Sequence, residues 1–166
     1  RFAPDPVSLG ALAGVLDGLS ASVAPLSTAV RVQLVAHAVQ GLAPGAWRCE
    51  PATRRLLPRR VGADPRGASR AAALDQDVIG HAAVVCVLSI DRAALAADPL
   101  GEARAYRHAF LEAGRVGERL YLAADARGLA VCAVGAFYDD EAAALVGLDP
   151  AREWVVHFAA LGPAAA

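Results

Sequence analysis

The sequence contains no lysine, no methionine and no asparagine; all sixteen basic residues are arginine, set against seventeen acidic ones for a net charge of −1. Without lysine there is no Schiff base, no lysine general base and no P-loop lysine, which excludes pyridoxal enzymes and Walker-type NTPases. With no start methionine, a processed, trimmed or excised piece is expected, with Arg1 the remnant of something longer. Near-neutral charge argues against a dedicated nucleic-acid binder, which carries a basic excess. No charge-free apolar run reaches the roughly eighteen residues of a membrane span, and no signal-peptide pattern opens the chain, so a cytoplasmic protein away from membranes is expected. Cysteine is scarce as well. Cys49, Cys86 and Cys132 are odd in number and far apart, with no C-x-x-C pair, which points to three buried small residues rather than a disulfide framework or a structural zinc site.

What is present is a chain of 166 residues, 56% hydrophobic, long enough for one domain with a substantial core; residues 1–166 are read as a single unit. After Pro4 and Pro6, the spacing of Val7, Leu9, Leu12, Val15, Leu16 and Leu19 predicts an amphipathic helix ending near Gly18, with Ser8 as a cap. The β-branched run from Val30 to Val39 predicts a strand. Gly41 to Gly45 has the chemistry of a chain reversal, and Ala46 to Glu50 returns as a second strand of a hairpin. Residues 51–70 read as irregular, with three prolines and six arginines; either they hold an anionic ligand or they form a solvated basic loop. A short helix around Ala71 to Val78 then leads into the apolar run Ala82 to Ile90, the pattern of a strand buried on both faces in the middle of a sheet.

Asp98-Pro99 is expected to open the longest helix, running through Tyr106, Phe110, Val116 and Leu120 to Ala124, with Arg127 in its last turn and Gly128 closing it. Gly114 and Gly117 lie inside that helix, where each costs about 1 kcal/mol relative to alanine; either another backbone or a flat ligand comes close there, or the helix is simply crowded. Asp139, Asp140 and Glu141 begin a short helix ending at Gly147, favourably placed for its dipole. Trp154 to Leu161 predicts the last strand. No serine sits in a G-x-S-x-G elbow, no cysteine has a neighbouring histidine, and His37, His81, His108 and His157 show no metal-ligand spacing. His37 and His157, inside apolar runs, read as structural histidines. The glycines form no dinucleotide fingerprint after a strand.

The run Ala105-Tyr-Arg-His-Ala-Phe-Leu-Glu-Ala-Gly114, continued by Arg115-Val-Gly-Glu-Arg-Leu-Tyr-Leu-Ala-Ala124, resembles the long central helix of the nitroreductase family. It is most similar to the branch of flavin dehydrogenases that oxidise thiazolines and oxazolines in peptide biosynthesis. Val131 to Phe137, Leu145-Val-Gly-Leu-Asp149 and Trp154 to Gly162 match in order behind it. Arg1-Phe-Ala-Pro-Asp-Pro-Val-Ser-Leu9 resembles the end of the arginine-rich N-terminal motif, and Gly41-Leu-Ala-Pro-Gly-Ala-Trp47 a turn of that branch.

The resemblance implies an α+β fold with a mostly antiparallel central sheet flanked by helices and a long central helix at a dimer interface. It implies flavin mononucleotide (FMN) between the two members of a homodimer, or between this chain and a second nitroreductase-like domain, acting on a small molecule or peptide. Carried over residue by residue, Arg1 and Arg107 become candidates for the anionic end of the cofactor, Val134 and Gly135 offer backbone near its ring, and Tyr106 is the candidate acid or base. A cofactor that carries the electrons needs few protein groups, so the missing nucleophile is expected. Two family elements are replaced: Ala24-Pro-Leu-Ser-Thr28 stands where relatives have a proline-serine-glycine lining, and Ala97-Asp-Pro-Leu100 where the azoline branch has lysine-tyrosine. An alternative from another class follows, a flavin-free domain that pairs with an active copy or holds a peptide.

Overall fold

A computed structural model describes residues 2–19, 24–50, 53–62 and 64–165. The chain opens with β1 (Val7–Ser8) and α1 (Leu9–Leu19), where the Ser8 hydroxyl accepts the Ala11 N–H as the sequence leads one to expect. β2 (Val30–Ala36), the short β3 (Val39–Gln40) and β4 (Gly45–Glu50) follow, then β5 (Arg55–Val61). α2 (Arg66–Ala72) and α3 (Asp77–Gly80) precede β6 (Val84–Asp91), α4 (Arg92–Ala96) and the 24-residue α5 (Glu102–Asp125). β7 (Leu129–Val134), α6 (Asp139–Leu145) and β8 (Glu153–Pro163) complete the fold.

Six strands form one antiparallel sheet in the order β5-β4-β2-β6-β8-β7, and β1 pairs with β3 in parallel. β6 lies between β2 and β8 with seven of its eight residues buried, as its unbroken apolar run predicts. Along it the side chains alternate. Val84 and Cys86 enter the cluster under α1 and the C-terminal half of α5, whereas Val85 and Val87 pack with Ile79, Ala142, Val146 and Phe158 under α3 and α6. Two helical layers thus sandwich the sheet, each core closed by the opposite phase of the same strands.

Four expectations need correction. Residues 55–61 are a strand rather than an irregular loop; Pro58 and the arginines disguise it, and proline is tolerated because β5 is an edge strand with no outer partner to bond. The helix expected around Ala71 to Val78 is two helices, broken where Leu74 and Asp75 both take φ of 56°. β2 ends at Ala36, since the N–H groups of both His37 and Ala38 turn to the Ala83 carbonyl. α5 begins at Glu102 and not at Asp98: Asp98 caps a turn by accepting the Leu100 N–H, and Gly101, with φ of 82°, resets the chain direction.

The glycines of α5 do not receive a backbone. Gly114 faces open space, and Gly117 makes room for the His157 ring, whose Nε2 would lie 3.4 Å from an added Cβ. Close helix approach is instead provided by α1, where Gly18 lies against Ala123 and Gly14 lies under the Arg127 guanidinium. Arg127 also donates to the Ala123 carbonyl, which satisfies an end of α5. Of the cysteines only Cys86 is fully buried; Cys49 and Cys132 are half-buried, and all three are free thiols.

Candidate functional site

The β7–α6 connection, residues 135–138, meets the start of β8 and the first half of α5 around an open bowl of about 620 Å³. Tyr106 and Phe110, one turn apart on α5, contribute one wall, with ring centroids 4.7 Å apart. Trp154 stands edge-on to Tyr106 at 6.3 Å, and the Arg92 guanidinium lies 4.8 Å above the indole, on top of the wall-forming ring. Phe137 forms the opposite wall and stacks at 5.0 Å on the buried Phe158. The loop carrying Phe137 is pinned by the Gln76 side-chain amide, which donates to the Ala136 and Ala73 carbonyls, and by the Tyr138 N–H to Ala72. Gln76 is therefore what holds Gly135 and Phe137 in place although it lies 60 residues earlier.

The charged groups lining the bowl are carboxylates: Asp139 and Asp140 from the first turn of α6, and Glu153 from β8. Glu153 is tied down across four strands. Arg48 on β4 reaches one of its oxygens at 3.2 Å, while Ser89 on β6 donates to the other at 2.8 Å and Gln33 on β2 at 3.4 Å. Gln33 and Ser89 are completely buried and bonded to each other at 3.0 Å. Such a network is costly unless its members satisfy one another, and it leaves only the Gln33 carbonyl oxygen without a donor.

The expected site residues divide. Tyr106 lines the bowl and is about half exposed, and Val134 is buried at the end of β7 with Gly135 exposed immediately beyond it. Tyr106 and the Gly135 loop are thus brought to one place. Arg107 is exposed on α5 but does not line the bowl and makes no ion pair among the described residues. Arg1 lies outside the described residues; its neighbour Phe2 bridges to Ala164, and Ala3 donates to the Pro163 carbonyl. That end of the sheet is where β7 begins opposite Pro163, whereas Gly135 follows its other end, about 17 Å away along the strand. Sequence reasoning missed Phe110, Phe137, Glu153 and Trp154 as wall residues. The clustering of Phe137, Asp139 and Asp140 directly after Gly135 was the available signal.

A second polar feature lies beneath the segment before β2. Glu112 of α5 is buried, and its carboxylate accepts the Leu26 N–H at 2.9 Å, Arg115 at 3.0 Å and Arg119 at 2.8 Å. Burial by itself would raise its pKa, but the Arg119 and Leu26 hydrogen bonds and the two guanidinium charges together hold it below the usual carboxylate range. This anchors Leu26 to Ser27 against the long helix. Elsewhere burial pushes the Cys86 thiol up to about 12 and raises that of Cys49, so neither supplies a thiolate near neutrality. Among the described residues no three His, Cys, Asp or Glu side chains converge as metal ligands, and no helix is long and apolar enough to cross a membrane.

The sequence matches the profile of the nitroreductase family over residues 1–162. The chain belongs to that family. A presumptive nitroreductase from Anabaena variabilis superposes with a TM-score of 0.90 at 24% identity, over 99% of this chain and 36% of that one. The Escherichia coli microcin synthetase McbBCD complex, with truncated pro-MccB17 bound, contains a chain that superposes at 0.85 with 18% identity, covering 99% of this chain and 67% of that one. A presumptive nitroreductase from Desulfovibrio desulfuricans in complex with FMN gives 0.66 at 22% identity, covering 99% and 80%. The chain therefore spans about a third of the first of these proteins and two thirds to four fifths of the others. No curated protein matches. Identities at this level establish the fold, α+β with a six-stranded antiparallel sheet flanked by helices and a long α5, as the resemblance in the sequence implies.

Gly135 is where the backbone beyond β7 is least covered. An added Cβ at Gly135 would meet nothing within 4 Å, so a flat ring could approach that backbone beside the aromatic walls. Among the described residues the charges lining the bowl are carboxylates, and the nearest cation named at its wall is Arg92, stacked on Trp154.

Proposed function

We propose that this chain is an FMN-dependent oxidoreductase domain of the nitroreductase family, working in the cytoplasm as one member of a pair, a homodimer or a partnership with a second such domain. The observation that carries the proposal is the bowl that brings Tyr106 together with Phe137, two residues after the open Gly135 backbone. Bound there, the flavin supplies hydride acceptance and donation, and the protein supplies position and electrostatics. Val134 and Gly135 border the ring, Tyr106 presents a phenol able to give or take a proton on substrate, and Asp139 and Asp140 add carboxylate acceptors. Phe110, Phe137 and Trp154 exclude water from the walls. Pairing is supported by the large apolar side chains exposed along α5, Leu111 at 59% and Leu122 at 64%, with Phe110 and Tyr121 beside them. Arg107, exposed on the same helix, is available to an anionic group held across such an interface. The likeness to a microcin synthetase complex with its precursor bound supports an azoline in a peptide as substrate.

A second reading, a flavin-free pairing or peptide-holding domain, is favoured by the carboxylate-only lining of the bowl and by the absence of lysine. Absorbance separates the two. Purified protein incubated with FMN and desalted should retain bands at about 370 and 450 nm, and Arg107→Ala should retain less flavin. A chain that stays colourless after reconstitution overturns the enzyme reading, and unchanged retention in the variant removes Arg107 from the cofactor.

A further inference from the structure

On the α1 face of the sheet, between α1 and the β4–β5 pair, lies a cleft of about 420 Å³ that shares no residue with the bowl. Its walls are Leu9, Leu12 and Leu16 of α1 facing Leu42, Trp47 and Leu56. It opens to solvent and borders the core cluster under α1, so an apolar occupant would cover Leu12 and Leu56 together with the more exposed Leu9. Its volume falls in the ~300–1,000 Å³ range of pockets that enclose small ligands, and an apolar lining with a few polar groups at one end is their usual construction.

The polar end is the mouth. There Arg54 reaches Asp17 of α1 at 3.4 Å, with the two side chains 79% and 50% exposed. A pair so open to water contributes little and gives way readily to a competing anion. Arg55 also lines the cleft and has no ion-pair partner among the described residues. Glu50, the opposing charge on that side, accepts the Thr53 hydroxyl at 3.4 Å. Arg59 and Arg60, further along β5, lie beside Gly147 instead, so the cations of the mouth are Arg54 and Arg55. Cys49, also in the lining, is a raised-pKa thiol and behaves as an apolar surface.

We propose that this cleft binds a single-chain anionic amphiphile, with its aliphatic body between α1 and Trp47 and its carboxylate or comparable head at Arg54 and Arg55. The site shares no residue with the bowl, and its ligand would close the gap between α1 and the sheet.

The two tryptophans provide the test, because Trp47 lines this cleft and Trp154 the bowl. In the full chain bearing Trp154→Phe, Trp47 emission is followed during titration with decanoate, with decanol and decyltrimethylammonium as neutral and cationic probes, all below their micelle concentrations. Decanoate should shift the emission saturably and bind about tenfold more tightly than the cationic probe. Arg55→Gln should remove most of that preference while leaving decanol unchanged, and Ala13→Phe, which fills the mouth, should abolish all binding. Thermal melting of each variant without ligand confirms the fold. The proposal is overturned by no saturable response, by equal affinity for the three head groups, or by undiminished binding in Ala13→Phe. It is also overturned if Trp47 emission depends on protein concentration without any amphiphile, since the cleft is then covered by a second copy. None of these outcomes depends on whether FMN is retained.

Discussion

His37 should make the stability of this domain fall on mild acidification. Its ring is buried just beyond β2, with Nδ1 3.0 Å from the Ala82 carbonyl and Nε2 2.9 Å from the Ser69 hydroxyl. The carbonyl can only accept, so Nδ1 carries the hydrogen and Nε2 receives the serine proton, a neutral tautomer that a second proton would destroy. Burial is the main cause that lowers the pKa to about 4, with the Arg66 charge adding to it against the opposing Ala82 hydrogen bond and Asp64 charge. The folded pKa lies below the unfolded value of about 6.5, so the unfolded chain takes up the proton first. The stabilisation is complete above pH 6.5 and is lost as pH falls towards 4. Linkage gives a loss of about 2 kcal/mol between pH 7.5 and pH 5, or about 4–8 °C in Tm for a domain of this size. Urea denaturation at the two pH values measures it, with His37→Gln as reference. That variant is less stable at both pH values, but its pH slope should be shallower by that amount; what slope remains includes His157, which burial shifts in the same direction. A His37 ring that titrates near 6.5 by NMR, or a variant with the wild-type slope, would refute the argument.

Two further substitutions test the scaffold. Glu112→Gln leaves Arg115 and Arg119, 30% and 19% exposed, without their shared carboxylate, and should cost about 2–4 kcal/mol in urea unfolding at pH 7. The Glu112 pKa is depressed, so its contribution is present above the unfolded carboxylate value and disappears as pH drops through the lower folded one; the variant's deficit should shrink below about pH 4, and a pH-independent deficit would contradict the pairing. Gly45→Ala should destabilise by more than about 2 kcal/mol, because the residue holds φ of 134° at the start of β4 and a Cβ there would run into the Arg60 carbonyl of β5. A calorimetric Tm within 2 °C of wild type would show that the β4–β5 register can shift to accommodate it.

The elements that the sequence determined by itself are those whose periodicity is local. The β6 run, the 3.6-residue pattern of α5, the β2–β4 hairpin around Gly41 to Gly45 and the acidic first turn of α6 each express a burial pattern that neighbours in the chain complete. Family membership was legible for the same reason, since the motif around Tyr106 to Ala124 lies within one helix. Only the tertiary structure decided that residues 55–61 are an edge strand, because a proline and four arginines between 54 and 60 are permitted there by a missing neighbour rather than by any local preference. It also decided which side chains share a site. Tyr106, Phe137, Glu153 and Trp154 meet because α5, α6 and β8 converge, and Glu153 is held by Arg48, Gln33 and Ser89 through strand register, over separations of 64 to 120 residues. A polar network of that kind leaves no periodic trace. Its partners are set by the side-by-side order of strands, which is fixed only when both helical layers close on the sheet.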